Sequence, residues 1–357
     1  MPATADLHAL GQSLWLDNIT RPMLDDGQIQ RYIDGYSVTG LTSNPSIFDK
    51  ALGTGAYDDA IRAKAGAGVT DEDLFFDLAI EDLRRAADAF LAVHERTSGV
   101  DGWVSLEVSP ELAYDTGATV AAAKALHARA GRPNLFIKIP GTEQGLPAIE
   151  EVIAAGVPVN VTLLFSAAQY TAAAEAYMRG IERRVADGLD PAVGSVASVF
   201  MSRWDAAVAD SAPAGLRHRL ALAVGGDTYR AYRSLLDSER WQRLEGEGAR
   251  PQRLLWASTS TKDPAAPDTL YVSGLAAPLT VNTMPDGTLE AMHDHGELGD
   301  PLPADGGDCD EVLAAFGVAG VDVAALAAKL QVDGAASFVA AWNDLIGHIG
   351  SQSAAVA

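Results

Sequence analysis

One lysine interrupts an apolar, β-favouring run, Asn134-Leu-Phe-Ile-Lys138-Ile-Pro140-Gly141. Alternation puts Leu135, Ile137 and Ile139 on one face and Phe136 and Lys138 on the other, so a buried strand here aims an amine inward. A buried ammonium either finds a carboxylate partner or gives up its proton, because desolvation pulls a lysine below its free pKa of about 10.4. A neutral amine in such a place is a nucleophile for carbonyls. The plainer role is an ion-paired or snorkelling lysine at a strand end, and taken alone this stretch fits that role better. The other polar residues of the chain reverse the choice.

Polar or ionisable groups recur near the ends of other β-like runs: Asp17, Asn44, Glu107, Asn160 with Thr162, and Ser198. Each has an ordinary explanation by itself. Asp17 could cap a helix, Asn44 form a turn, Thr162 favour β structure and Ser198 fill a small space. Together, an amine, two carboxylates and a set of amides and hydroxyls describe a Schiff-base site. The amine attacks a carbonyl, one carboxylate moves protons for dehydration, and the other takes a hydroxyl proton as a carbon–carbon bond breaks.

These groups need a scaffold that brings strand ends together. Eight β-like runs are legible: 13–17, 37–42, 103–108, 134–141, 157–165, 194–200, 253–258 and 279–282. Amphipathic stretches separate them, over about 25–36, 57–97 with Thr70 and Asp73 as a capping pair, 117–130, 167–186 and 201–244. Pro45 pushes Asn44 out of helical geometry, so the second run hands over to a shaped loop. Strands each followed by helix predict a parallel sheet closed into an (α/β)8 TIM barrel with extra helices, a single domain over residues 1–357. An open doubly wound sheet competes, but no G-x-G-x-x-G joins a strand to a helix; Gly53-Thr-Gly55 and Gly225-Gly226 read as turn glycines. The remainder reads as helical to about Ile349. From about residue 310 it is expected to pack on the barrel through Leu326, Phe338, Trp342 and Leu345, with the barrel mouth as one location open to it.

The chain has 357 residues, 48% of them hydrophobic, and no run that reads as long and uncharged enough to span a bilayer. Residues 1–10 lack a basic segment before an apolar stretch, and a lone cysteine, Cys309, makes no internal disulfide, so a cytoplasmic location is expected. A formal net charge of −22 argues against nucleic-acid partners. It also repels anionic substrates at long range, so a phosphorylated substrate must rest on a few local Arg or Lys groups. A metal reading of His293-Asp294-His295 yields to an exposed polar loop, because histidines two apart share no helical face and no other ligand cluster is evident. Cys309, among Asp and Gly, has no partner pattern for a nucleophile.

Six ordered segments resemble the transaldolase family: Leu16-Asp17, Thr42-Ser-Asn-Pro45, Val104-Ser105-Leu-Glu107, Ile137-Lys-Ile-Pro140, Val159-Asn-Val-Thr-Leu-Leu-Phe-Ser166 and Val281-Asn-Thr-Met-Pro285. The resemblance implies a class I barrel enzyme that moves a dihydroxyacetone unit from a ketose phosphate to an aldose phosphate, without metal or organic cofactor. It implies sugar-phosphate substrates, sedoheptulose 7-phosphate with glyceraldehyde 3-phosphate giving erythrose 4-phosphate and fructose 6-phosphate, and a monomer or homodimer with no membrane partner. By the same resemblance Lys138 is the Schiff-base lysine and Asp17 the base for cleavage. Glu107 is the acid/base, acting through a water that Thr162 helps to hold. Asn44, Ser105, Asn160 and Ser198 hold the substrate.

Phe200 stands where transaldolases have Phe and similar aldolases have Tyr, so transfer is favoured over release of the cleaved fragment. Arg203 resembles the family's first phosphate arginine and offers a bidentate fork. The chain departs from the pattern after the seventh strand. It reads Ser258-Thr-Ser-Thr-Lys262 where many members carry a second arginine, so Lys262 or the hydroxyls must substitute. Two alternatives stay open, an aldolase that releases its product and a non-catalytic sugar-phosphate sensor.

Overall fold

The computed structural model describes residues 2–64 and 69–356. Eight parallel strands close on one another in sequence order: β1 (Ser13–Leu16), β2 (Val38–Leu41), β3 (Val104–Glu107), β4 (Leu135–Pro140), β5 (Val159–Leu164), β6 (Ser195–Phe200), β7 (Gln252–Ala257) and β8 (Val281–Met284). Helices follow the strands around the outside, which makes the chain an (α/β)8 barrel. The all-buried pattern of most strands explains why they read as near-continuous apolar text.

The eighth strand begins two residues later than the sequence suggests. Leu279 has φ of 65° and is half exposed, so the run cannot start there; β8 starts at Val281 and takes in Thr283 and Met284. Three helical stretches are also divided. The 25–36 stretch is two helices, Arg21–Asp25 and Gln28–Tyr36, parted at Gly27 with its φ of 76°. The 201–244 stretch is Ser202–Val208, Leu220–Leu236 and Glu239–Gly246, the last capped by Ser238. Within 57–97, helices cover Asp58–Lys64 and Asp71–Arg96, and Thr70 caps the second as expected; residues 65–68 lie outside the described residues.

Beneath Lys138 the barrel is plugged by aromatic rings. Phe136, on the same face of β4, stacks on Trp103 with ring centroids 4.1 Å apart and lies 6.1 Å from Trp15. Gly40 makes the room: a Cβ there would sit 2.6 Å from the Trp15 indole nitrogen. The plug gives the lysine a dry floor.

The end of the chain is not one helix. After Asp286–His295 comes an irregular segment, then Cys309–Val318 and a 34-residue final helix, Val323–Val356. By length and composition Val323–Ala354 is apolar enough to cross a membrane, which corrects the expectation that no run qualifies. Its apolar side is already engaged: Leu330, Phe338, Trp342, Leu345 and Ile349 are buried, and Trp342 meets Phe75 and Phe76 at 5.1 and 5.7 Å. This helix lies at the C-terminal end of the strands, where barrels carry their chemistry.

Candidate active site

Parallel register places the two ionisable groups of the central strands side by side. Glu107 on β3 pairs with Lys138 on β4, and Lys138 with Asn160 on β5. Lys138 Nζ donates to Glu107 Oε2 at 2.8 Å and to the Ser43 carbonyl at 2.9 Å, with side-chain exposures of only 6% and 4% for the lysine and glutamate. Of the two fates open to a buried amine, the structure shows the partner carboxylate. Burial pushes the Glu107 carboxyl above its ordinary range, against the opposing charge and hydrogen bond of Lys138.

Asp17 follows β1 and is fixed from both sides. Its amide donates to Met284 O at 2.8 Å, and its carboxylate accepts from Thr42 Oγ1 at 2.6 Å; Thr42 Oγ1 lies 2.7 Å from Thr283 Oγ1. Burial raises the Asp17 pKa, chiefly opposed by the Thr42 hydrogen bond and the charge of Lys138.

A cavity of about 320 Å³ opens between these groups at the C-terminal rim. Among the expected residues, Asp17, Asn44, Lys138, Thr162, Ser198, Phe200, Arg203 and Lys262 line it. Asn44 lines the cavity and also caps the helix Pro45–Leu52, its Oδ1 accepting from Ile47 N at 3.2 Å. Glu107, Ser105 and Asn160 do not line the cavity. Asn160 lies fully buried beneath it, donating to Ser105 Oγ at 3.1 Å and accepting from Ser198 Oγ at 2.7 Å. Ser198 is the member of that chain of hydrogen bonds that reaches the cavity.

The strand carrying Thr162 is bent to present it. The β5–β6 register slips between Val161 and Leu164, and Leu163 takes φ of 60°, the left-handed region that a leucine rarely occupies. Two buried oxygens here, Thr162 Oγ1 and Glu107 Oε1, have no hydrogen-bond partner among the described residues. Gln331 of the final helix donates to the carbonyls of Leu163 and Gly141, each at 3.0 Å, and so pins the bulge from above.

Aromatic and cationic side chains form the outer wall. Phe200 lies 5.5 Å from Phe165 and 6.3 Å from Phe338, whose ring is 5.9 Å from Lys138 Nζ. The Arg203 guanidinium sits 5.4 Å from the Phe200 ring, and burial lowers its pKa. Lys262 Nζ donates to Ser260 Oγ at 2.8 Å. Burial lowers the Lys262 pKa, aided by the charges of Arg203 and Lys50.

Sequence reasoning misses Thr42, Thr283 and Lys50 as cavity residues; Ser258, one of the hydroxyls offered beside Lys262, and Phe338, on the helix for which the mouth was one location, do line it. Thr42 was within reach, since it shares the quoted Thr42-Ser-Asn-Pro45 segment. Thr283 shares the quoted Val281-Asn-Thr-Met-Pro285 segment but falls one residue past the expected end of the eighth run. Nothing in the local sequence distinguishes Lys50 from any solvated helix lysine.

Outside this site two expectations change. His293 and His295 belong to the last turn of a helix, not a polar loop; His293 stacks on Tyr36 at 3.9 Å and lies 3.0 Å from Thr4 Oγ1. A ligand cluster absent from the sequence reading does form, with Asp227, Cys309 and Asp310 atoms within 4.8 Å of one another. Arg230 already binds both carboxylates, at 2.7 and 2.8 Å. The larger cavity of about 530 Å³ lies at the opposite end of the barrel, by Gln12, Ser13 and Arg253, away from the lysine.

The profile of the transaldolase/fructose-6-phosphate aldolase family matches residues 14–349. The chain is similar to a transaldolase of Parafrankia sp., 44% identical over 98% of this chain and 97% of the relative. It is likewise similar to a transaldolase of Thermobifida fusca, 45% identical over 97% and 96%, and to transaldolase 1 of Streptomyces coelicolor, 43% identical over 95% and 92%. With a barrel whose rim holds this paired lysine, and with these relatives along nearly its whole length, the chain belongs to the transaldolase/fructose-6-phosphate aldolase family.

Proposed function

We propose that this chain is a transaldolase, moving a dihydroxyacetone unit from fructose 6-phosphate or sedoheptulose 7-phosphate to glyceraldehyde 3-phosphate or erythrose 4-phosphate through a Schiff base on Lys138. The observation that carries the reading is the buried Lys138–Glu107 contact at 2.8 Å, on the rim of a cavity that also holds Asp17. Glu107 takes the amine's proton, and the free amine attacks the ketose C2 carbonyl. Glu107 then returns a proton to the carbinolamine hydroxyl, which leaves as water. The two unpartnered oxygens of Glu107 and Thr162 support a bridging water for this relay.

The resulting iminium is an electron sink beside C3. Asp17 takes the proton of the C4 hydroxyl, the C3–C4 bond breaks, and its electron pair enters the enamine as the aldose phosphate leaves. An incoming aldehyde accepts the enamine carbon, Asp17 returns the proton to the new alkoxide, and hydrolysis frees Lys138. Asn44 and Ser198 hold substrate hydroxyls, Ser105 and Asn160 orient Ser198 from below, and Arg203 with Lys262 takes the phosphate. The whole chain acts as one domain, in the cytoplasm, as a monomer or homodimer.

Release of free dihydroxyacetone is the second reading, because the family includes fructose-6-phosphate aldolases. Phe200, with Phe165 and Phe338 around it, disfavours that outcome, since no hydroxyl there orients a water toward the enamine. Product analysis with fructose 6-phosphate, with and without erythrose 4-phosphate, tests the proposal. Sedoheptulose 7-phosphate made only with acceptor is expected; equal free dihydroxyacetone in both would favour the aldolase.

A further inference from the structure

Three cations face one opening: Arg203, Lys262 and Lys50 all line the cavity above Lys138. Lys50 stands in the last turn of the helix Pro45–Leu52, exposed, with the cavity residue Asn44 as that helix's cap. Elsewhere on this acidic chain, many surface arginines are matched, as Arg132 is by Asp88 and Arg183 by Glu151. Among the described residues no carboxylate forms an ion pair with Lys50, Lys262 or Arg203. The neighbouring Asp49 is engaged instead by His348 of the final helix at 2.7 Å. Asp17, deeper in the cavity, acts on Lys262 through its charge without pairing with it. The charges of Arg203 and Lys50 act against that of Lys262, and an anion between them relieves this repulsion.

We propose that Lys50 is a third phosphate ligand, reaching over the substrate phosphate from the helix after β2 and standing in for the arginine missing after β7. The inference rests on the sugar-phosphate reading of the site and deepens it. Arg203 supplies a rigid fork from the barrel side, Lys262 a point charge from the loop after β7, and Lys50 a flexible one from the opposite wall. The site thereby prefers phosphorylated sugars over neutral ones of the same length.

The test uses the full chain with Lys50→Gln, Lys50→Arg and, as a surface control, Lys124→Gln on the outer helix Thr116–Ala130. Inorganic phosphate binding is measured by calorimetry and by competition against fructose 6-phosphate, alongside turnover of unphosphorylated fructose. Lys50→Gln is expected to weaken phosphate binding and raise KM for fructose 6-phosphate about three- to tenfold, with kcat and the fructose reaction within about twofold. Lys50→Arg is expected to restore most of the loss. Unchanged phosphate binding in Lys50→Gln, an equal loss for fructose, or the same loss in Lys124→Gln would overturn the proposal. Calorimetry with phosphate needs no turnover, so it still decides the role of Lys50 if the transaldolase reading fails.

Discussion

The Gln331 amide donates at 3.0 Å to the carbonyl of Leu163, the residue in left-handed conformation at the bulge of β5. A helix near the end of the chain therefore holds the strand that presents Thr162. Removing that amide leaves two carbonyls without their donor, those of Leu163 and Gly141. Gln331→Leu is expected to cost roughly 1–3 kcal/mol of stability. Because the bulge relaxes, kcat falls by more than KM changes. Chemical denaturation and steady-state kinetics on the same variant check both; a stability loss with unaltered kcat would separate the bulge from catalysis.

Close approach of the same helix depends on Gly334. A Cβ there would meet Leu163 Cδ2 at 3.0 Å and Arg203 Nη1 at 3.4 Å. Gly334→Val adds further methyls to that contact and is expected to lift the helix from the mouth. KM for phosphorylated substrates rises through Arg203, and water reaches the enamine, so free dihydroxyacetone increases. A variant with normal KM and no added dihydroxyacetone would show that the helix is not needed for closure.

In the proposed function Phe200 carries the choice between transfer and release. Phe200→Tyr places a hydroxyl in the aromatic wall beside Phe165 and Phe338. Cleavage of fructose 6-phosphate to free dihydroxyacetone is expected to rise several-fold relative to transfer, on the scale of one positioned acid–base group. Quantifying dihydroxyacetone without acceptor gives the answer, and no rise would remove Phe200 from the account.

Asp17 has its pKa raised by burial, so ionising it costs more in the folded chain than in the unfolded one. Stability from this group is thus lost as pH climbs from the unfolded carboxylate value near 4 through the higher folded value, and does not return above it. Asp17→Asn removes that cost. The variant is expected to melt higher than the parent at neutral pH, with the advantage shrinking as pH falls toward 4, while activity drops about 10²–10⁴-fold. The parent's kcat/KM should also fall on the acid side at a pH above the usual carboxylate range. Melting curves across pH test the sign, and a parent more stable than Asp17→Asn at neutral pH would contradict it.

The barrel was legible because its strands are buried on both faces and separated by amphipathic text, so alternation exposed Lys138, Glu107 and Asn160 on inward faces. Three features escaped. Leu279 has a strand-like side chain in a left-handed turn, which displaced β8 and left Thr283 past its expected end. The bulge at Leu163 leaves no mark in a pattern of period two. Lys50 and Gln331 reach the mouth only through tertiary packing, at positions whose local sequence suits any exposed or amphipathic helix.

The central claim is covalent bonding of substrate at Lys138, and borohydride trapping addresses it directly. Incubation with fructose 6-phosphate and borohydride, followed by peptide mapping, is expected to place a reduced three-carbon or six-carbon adduct on Lys138 and to show none in Lys138→Met. An adduct on another lysine, or none under conditions where the sugar turns over, contradicts the account.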